Sequence, residues 1–77
     1  MMPGDEHGWW AGDFQEGSVV FQVSAHPTRD AELQTLEVVR LSVEYHRHGA
    51  PFVIFGVRNV GSSAVFSYRI FISGVGF

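Results

Sequence analysis

Alternation of apolar and polar side chains is the strongest pattern in the chain, and it predicts β-strands. Residues 36–47 alternate regularly, which is typical of a strand with one buried face. The side chains expected to face the core from this strand are Val39, Leu41, Val43 and Tyr45. Residues 52–59 and 64–73 predict two further strands, and residues 18–24 predict another because they are rich in β-branched and aromatic side chains. The region 28–34 fits either one helical turn or a loop.

Turn chemistry sets the expected register of the last three strands. A two-residue turn at Gly61-Ser62 would pair Val57 with Phe66, and a three-residue loop at 48–50 keeps the preceding strand in phase with that pairing. A slip of one residue at either turn would scatter the apolar side chains over both faces. The predicted core rows are Leu41-Val57-Phe66, Val43-Phe55-Tyr68 and Tyr45-Val53-Ile70.

These elements predict an all-β fold, a small antiparallel meander of about four strands. We expect it to form a reduced β-sandwich or jelly-roll-like unit. Four strands in one sheet bury only one face, and a sandwich needs a second sheet. A neighbouring subunit is therefore expected to complete the unit.

The second face of the meander is expected to be a contact surface. It would place Arg40 opposite Arg58, a pair of like charges that costs stability unless an acid joins it. Phe52, Ile54 and Phe71 would form a contiguous apolar patch on the same face, which indicates contact with a partner. Two occupants fit this surface, the chain's own N-terminal segment or a neighbouring subunit.

Residues 1–17 form a distinct segment, which we call the N-terminal arm. It contains four glycines and a proline and has neither a strand nor a helix period, so irregular or extended structure is expected. Trp9, Trp10 and Phe14 are too large and apolar for a solvated tail, and the arm is expected to dock onto the β domain. We therefore divide the chain into an acidic, aromatic arm at 1–17 and a single β domain at 18–77.

Composition narrows the classes of function. A chain of 77 residues has room for one domain, and it has no cysteine for disulfides or thiolate zinc sites. Oligomerisation is the remaining common support for so small a fold. All five basic residues are arginines and the net charge is −3, which argues against nucleic acid as a partner. Apolar runs are short, so neither membrane insertion nor a signal-peptide core is expected.

Candidate chemistry is sparse. No serine occupies a strand–turn–helix elbow, and no glycine-rich phosphate loop is present. The carboxylates of the arm are not expected to hold the fixed separation that glycoside cleavage needs. His46 and His48 could share a metal, although ordinary surface histidines fit the same spacing. We predict a protein that is not an enzyme, with no catalytic residue, cofactor or metal.

The segment Val57-Arg58-Asn59-Val60-Gly61-Ser62-Ser63-Ala64-Val65 resembles the V-x-N-x-G-x-x-x-A/V hairpin of extracellular immunoglobulin-like adhesion modules of the CARDB type. LEVVRLSVEY would be its partner strand. The resemblance covers about 30–40 residues, which is the length of one hairpin together with its partner strand. It implies a non-catalytic surface or scaffold role, and it brings no functional residues with it.

We therefore expect a structural protein that assembles with copies of itself into an oligomer, filament or shell. The expected assembly interface consists of Trp9, Trp10, Phe14, Arg40, Phe52, Ile54, Arg58, Arg69 and Phe71. The alternative is a lectin-like module that binds carbohydrate through Trp9 and Trp10, because exposed aromatic rings stack on sugar faces.

Overall fold

Five strands make up the secondary structure of the computed structural model, which describes residues 1–12, 14, 18–28, 34–45 and 51–76. The strands are β1 (Glu6–Ala11), β2 (Ser18–Pro27), β3 (Leu36–Tyr45), β4 (Pro51–Asn59) and β5 (Tyr68–Gly76). No helix occurs among these residues. The predicted all-β fold is confirmed. The loop predicted at 48–50 and most of the region 28–34 lie outside the described residues.

The strands form two antiparallel sheets. Sheet A has the order β1-β4-β3, and sheet B contains β2 and β5. The β3–β4 pair is nested in sequence between the two strands of sheet B. The two strands that are central in this stretch of sequence, β3 and β4, therefore lie in sheet A, and the two strands that flank them, β2 and β5, lie in sheet B.

The predicted hairpin between β4 and β5 is wrong. One edge of β4 pairs with β3 and the other with β1, so no edge is left for β5. Residues 60–67 carry the chain to sheet B, where β5 pairs with β2. Residues 6–11 of the arm form β1 and occupy this edge of β4, although their glycine weakens the strand signal in the sequence.

The core lies under β4, whose inward side chains Val53, Phe55 and Val57 are buried. Side chains from both sheets and the arm pack on them: Met1, Phe14, Phe21, Val23, Ala25, Leu36, Val38, Tyr68, Ile70 and Ile72. The central part of the predicted core is therefore confirmed.

Among the outer members of the predicted core rows, Tyr68 and Ile70 pack on the core, but the four others are wrong. Leu41, Val43 and Tyr45 are exposed, and Tyr45 is 58% accessible. Among the described residues sheet B has two strands, and these leave this end of β3 exposed although Val43 and Tyr45 share the inward side of the sheet with Val53. Phe66 precedes β5 and is 84% exposed.

A β-bulge at Arg40 changes the register along β3. Val39 pairs with Gly56 and Ser42 with Ile54, so two residues of β3 oppose one of β4. Arg40 has a φ of 53°, the left-handed conformation that a residue other than glycine seldom adopts. The predicted pairing of Tyr45 with Val53 is wrong by two residues, since Tyr45 pairs with Pro51, and the bulge shifts the pairing by one further residue between Val39 and Ser42.

Candidate functional site

Every second residue of sheet A points away from sheet B and forms the surface that we call the outer face. In register, its rows across β1, β4 and β3 are Glu6-Arg58-Glu37, Gly8-Gly56-Val39 and Trp10-Ile54-Ser42, followed by Phe52 beside Glu44. One end of the face is charged and the other end is apolar. The outer face therefore contains residues of the arm together with residues of 36–59 that were predicted to form the second face of the meander.

Trp10 is the most prominent side chain of the apolar end. It is 70% exposed, and its ring centroid lies 5.9 Å from that of Phe52. The Phe52 ring lies over Gly12, where an added Cβ would come within 2.6 Å of a ring carbon. Glycine at this position therefore allows Phe52 to approach the arm. Trp10, Phe52 and Ile54 form a contiguous surface that we call the Trp10 patch.

Two shallow grooves lie beside Trp10. One has a volume of about 440 Å³ and extends over Gly8 and Gly56 towards Arg40. The other, about 330 Å³, lies among Trp10, Glu44, Phe52 and Ile54. A Cβ built on Gly8 meets no atom within 4 Å, so this glycine leaves open space at the floor of the first groove.

An ion pair crosses the charged end of the outer face. Glu6 of β1 pairs with Arg40 of β3, although these are the two edge strands of sheet A. The pair passes over Gly56, where an added Cβ would lie 3.0 Å from Glu6 Oε2 and 3.1 Å from Val39 Cγ2. The bulge and this glycine together bring the two side chains into contact.

The predicted opposition of Arg40 and Arg58 is wrong. Arg58 has Glu6 on one side and Glu37 on the other as its register partners. Acidic residues thus surround the basic position, and the like-charge cost expected from the sequence does not arise.

The remaining predicted interface residues lie elsewhere. Trp9 points inward and is 44% exposed, and its Nε1 donates a hydrogen bond to Tyr68 Oη at 2.8 Å. Phe14 packs edge-on against Phe21 with ring centroids 4.9 Å apart. Arg69 and Phe71 lie on the outer surface of sheet B, on the opposite side of the sandwich. The nine predicted residues therefore do not form one surface.

The outer surface of sheet B has its own small cluster. Phe71 is 57% exposed, and the His26 ring packs edge-on against it at 5.2 Å. His26 Nε2 lies 2.9 Å from Ser24 Oγ, in hydrogen-bonding distance. A groove of about 380 Å³ runs beside these residues, lined mainly by Gln22, Ser24, Phe71 and Ser73.

Sequence reasoning missed the glycines that shape the outer face. Gly8 and Gly12 flank Trp10 at a spacing of two, and Glu6 continues that spacing. This alternation of glycine with Glu6 and Trp10 was the available signal for a strand with one open face. Gly56 carried no such signal, because its role depends on side chains from two other strands.

A comparison of the chain with protein families, curated proteins and solved structures found no match. Among the described residues, no group of three or more potential ligands could hold a metal ion. These same residues include no helix long and apolar enough to span a membrane. His46 and His48 lie outside them.

Proposed function

We propose that this chain is a non-enzymatic structural protein that assembles with copies of itself through the outer face of sheet A. The observation that carries the proposal is the Trp10 patch, a contiguous apolar surface with a largely exposed tryptophan at its centre. Tryptophan is among the residues most enriched in the energetic centres of protein interfaces.

The size of the molecule supports a contact between two such faces. Its Cα extents are 43 × 18 × 15 Å, so one broad face offers at most roughly 770 Å², close to the 800 Å² that each partner buries in a standard interface. Burying about 150 Å² of Trp10 would contribute about 4 kcal/mol per subunit before the cost of association. Burial of Trp10 therefore supplies a large part of the free energy that the contact needs.

The test is substitution of Trp10 with a matched control. In Trp10→Thr the strand keeps a β-branched residue, and we expect the dissociation constant of self-association to rise by at least about 30-fold, the effect of losing 2 kcal/mol. Phe66→Ser is the control, because Phe66 is even more exposed but lies in the 60–67 connection. Sedimentation velocity measures both. Equal weakening by the two variants, or none by Trp10→Thr, would contradict the proposal.

Carbohydrate binding is the second candidate function, favoured by the grooves on either side of Trp10. A pyranose could stack on the exposed indole while polar side chains of the outer face bind its hydroxyls. Trp9 does not fit this role well, because its indole N–H is bonded to Tyr68.

The two indole N–H resonances report on this candidate by NMR. Addition of glucose, galactose, mannose or fucose should shift the Trp10 signal and leave the Trp9 signal in place. Gly8→Val should abolish the shift, because the side chain would extend into the groove from a position where an added Cβ meets no atom within 4 Å. Unchanged Trp10 signals with all four sugars would exclude this candidate for neutral hexoses.

A further inference from the structure

β1 and β5 lie at the same side of the sandwich, where both sheets end. Tyr68 at the start of β5 contacts two residues of β1, with its Oη 2.8 Å from Trp9 Nε1 and 3.0 Å from His7 Nδ1. Within the described part of the chain, β1 pairs only with β4 and β5 only with β2. We call this side, with its two open strand edges, the β1/β5 side.

The edge of β5 carries fewer protective devices than the other edges, with a single charged residue, Arg69, near its start. Native proteins protect edge strands with bulges, prolines, charges or short length. β3 carries the bulge at Arg40, β2 has a register shift near its start and Pro27 at its end, and β1 has only six residues. β5 has nine residues, and its own sequence contains no proline and no inserted residue.

The chemistry of β5 suits pairing with an identical strand. Its only charged residue is Arg69, and residues 70–76 are uncharged. The eight acidic residues, whose excess over the five arginines gives the chain its net charge of −3, all lie outside β5. Two copies can therefore meet along β5 without opposing acids, and interface centres are generally poor in charge.

The area of this side points to a second copy of the chain as the occupant. A side of 43 × 15 Å would let two copies bury at most roughly 1,300 Å² in total, within the range of specific interfaces. An extended peptide on the edge of β5 would cover a strip only about 5 Å wide. It would leave Trp9, which is 44% exposed, uncovered.

We propose that β5 pairs antiparallel with β5 of a second copy and joins two copies of sheet B into one four-stranded sheet. The proposal extends the self-assembly proposed above but uses a different surface. A two-fold contact at the outer face and another at the β1/β5 side would alternate from copy to copy. The assembly would then grow as a chain of subunits beyond the dimer.

Sedimentation velocity on four variants tests this second interface. Phe71→Lys places a charge beside the open edge of β5, and we expect it to stop growth at the dimer formed by the outer face. Gln22→Lys is the matched control, because Gln22 is exposed on the same surface of sheet B but lies on β2. Trp10→Thr should leave the dimer formed by β5, and Trp10→Thr with Phe71→Lys should give the 8.6 kDa monomer.

The outcomes separate the two proposals. If Phe71→Lys is monomeric while Trp10→Thr keeps the mass of the unmodified chain, the β5 interface stands and the outer-face interface fails. If Phe71→Lys keeps the unmodified mass, or if Gln22→Lys lowers the mass equally, the β5 interface is overturned. A monomeric unmodified chain overturns both.

Distance measurement provides a second readout that does not depend on the lysine variant. The chain has no cysteine, so nitroxide labels can be placed singly at Ser73→Cys or Gln22→Cys. Each Gln22 lies one strand further from the two-fold axis than Ser73, so its label pair should be about 10 Å further apart by pulsed electron paramagnetic resonance. Equal distances, or no short distance at Ser73, would contradict β5 pairing.

Discussion

Asn59 is the residue on which the docking of the N-terminal arm most depends. It is fully buried, and its Nδ2 donates to Met1 O at 3.1 Å and to Ser63 O at 2.8 Å. Its Oδ1 accepts from Gly61 N at 3.0 Å, and its backbone bonds to Gly4 N and Asp5 O. One side chain thus connects the end of β4, the following connection and the start of the chain.

Replacing Asn59 should therefore cost more than a typical substitution. Asn59→Ala removes three side-chain hydrogen bonds from a fully buried position, those to Met1 O, Ser63 O and Gly61 N, and we expect the free energy of unfolding to fall by about 2–4 kcal/mol. Val60→Ser, at the exposed neighbouring position, should change it by less than about 0.5 kcal/mol. Urea denaturation followed by circular dichroism measures both. Similar values for the two variants would remove Asn59 from this role.

At the scale of elements, the bulge of β3 places Arg40 on the outer face at a conformational cost. A left-handed conformation costs a residue other than glycine about 1–2 kcal/mol. The ion pair of Arg40 with Glu6 offsets little of this conformational free energy. An exposed pair contributes about 0–1 kcal/mol, and the Arg40 side chain is 74% exposed. The strained residue, Arg40, lies beside the groove of about 440 Å³ on the outer face, and the bulge directs its guanidinium onto that face.

Substitutions at Arg40 test the bulge. Arg40→Val should lower the free energy of unfolding by about 1–2 kcal/mol, because a β-branched side chain tolerates a positive φ poorly. Arg40→Gly removes the same ion pair but relieves the backbone, so it should stay within about 0.5 kcal/mol of the unmodified chain. Thermal and urea denaturation compare the two. Equal destabilisation would mean that the ion pair, and not the backbone, determines stability here.

The elements differ in how far the sequence predicts them. β4 and the pairing partner β3 follow from their apolar runs and alternation, and both were predicted close to their observed bounds. β1 was not predicted, because glycines at alternate positions remove the apolar period that marks a strand. The pairing of β5 with β2 was also missed. The turn at Gly61-Ser62 favoured a local hairpin of β4 with β5, and nothing in the sequence near β4 indicates that β1 takes the place of β5 beside it.

The candidate site was predicted only in part for a related reason. The membership of Arg40, Phe52, Ile54 and Arg58 on one face follows from alternation within the β3–β4 pair. Trp10 joins them only because the arm becomes a strand of the same sheet. Phe71 was assigned to this face through the incorrect hairpin, and it lies on the other side of the sandwich.

At the scale of the whole molecule, the described residues leave apolar side chains exposed at the sheet edges and on the outer face of sheet A. Among the described residues sheet B has one strand fewer than sheet A, and side chains at the end of β3 and Trp9 at the β1/β5 side are exposed. The Trp10 patch adds an apolar surface on the outer face. We infer that contacts between copies cover these surfaces, which would make the 77-residue chain one subunit of a larger assembly.

The molar mass of the unmodified chain in solution tests this account most directly. Light scattering over a wide range of protein concentration should give masses that rise with concentration to well above twice 8.6 kDa. The same measurement on Trp10→Thr with Phe71→Lys should give a single species of 8.6 kDa. An unmodified chain that remains at 8.6 kDa at every concentration would contradict the account.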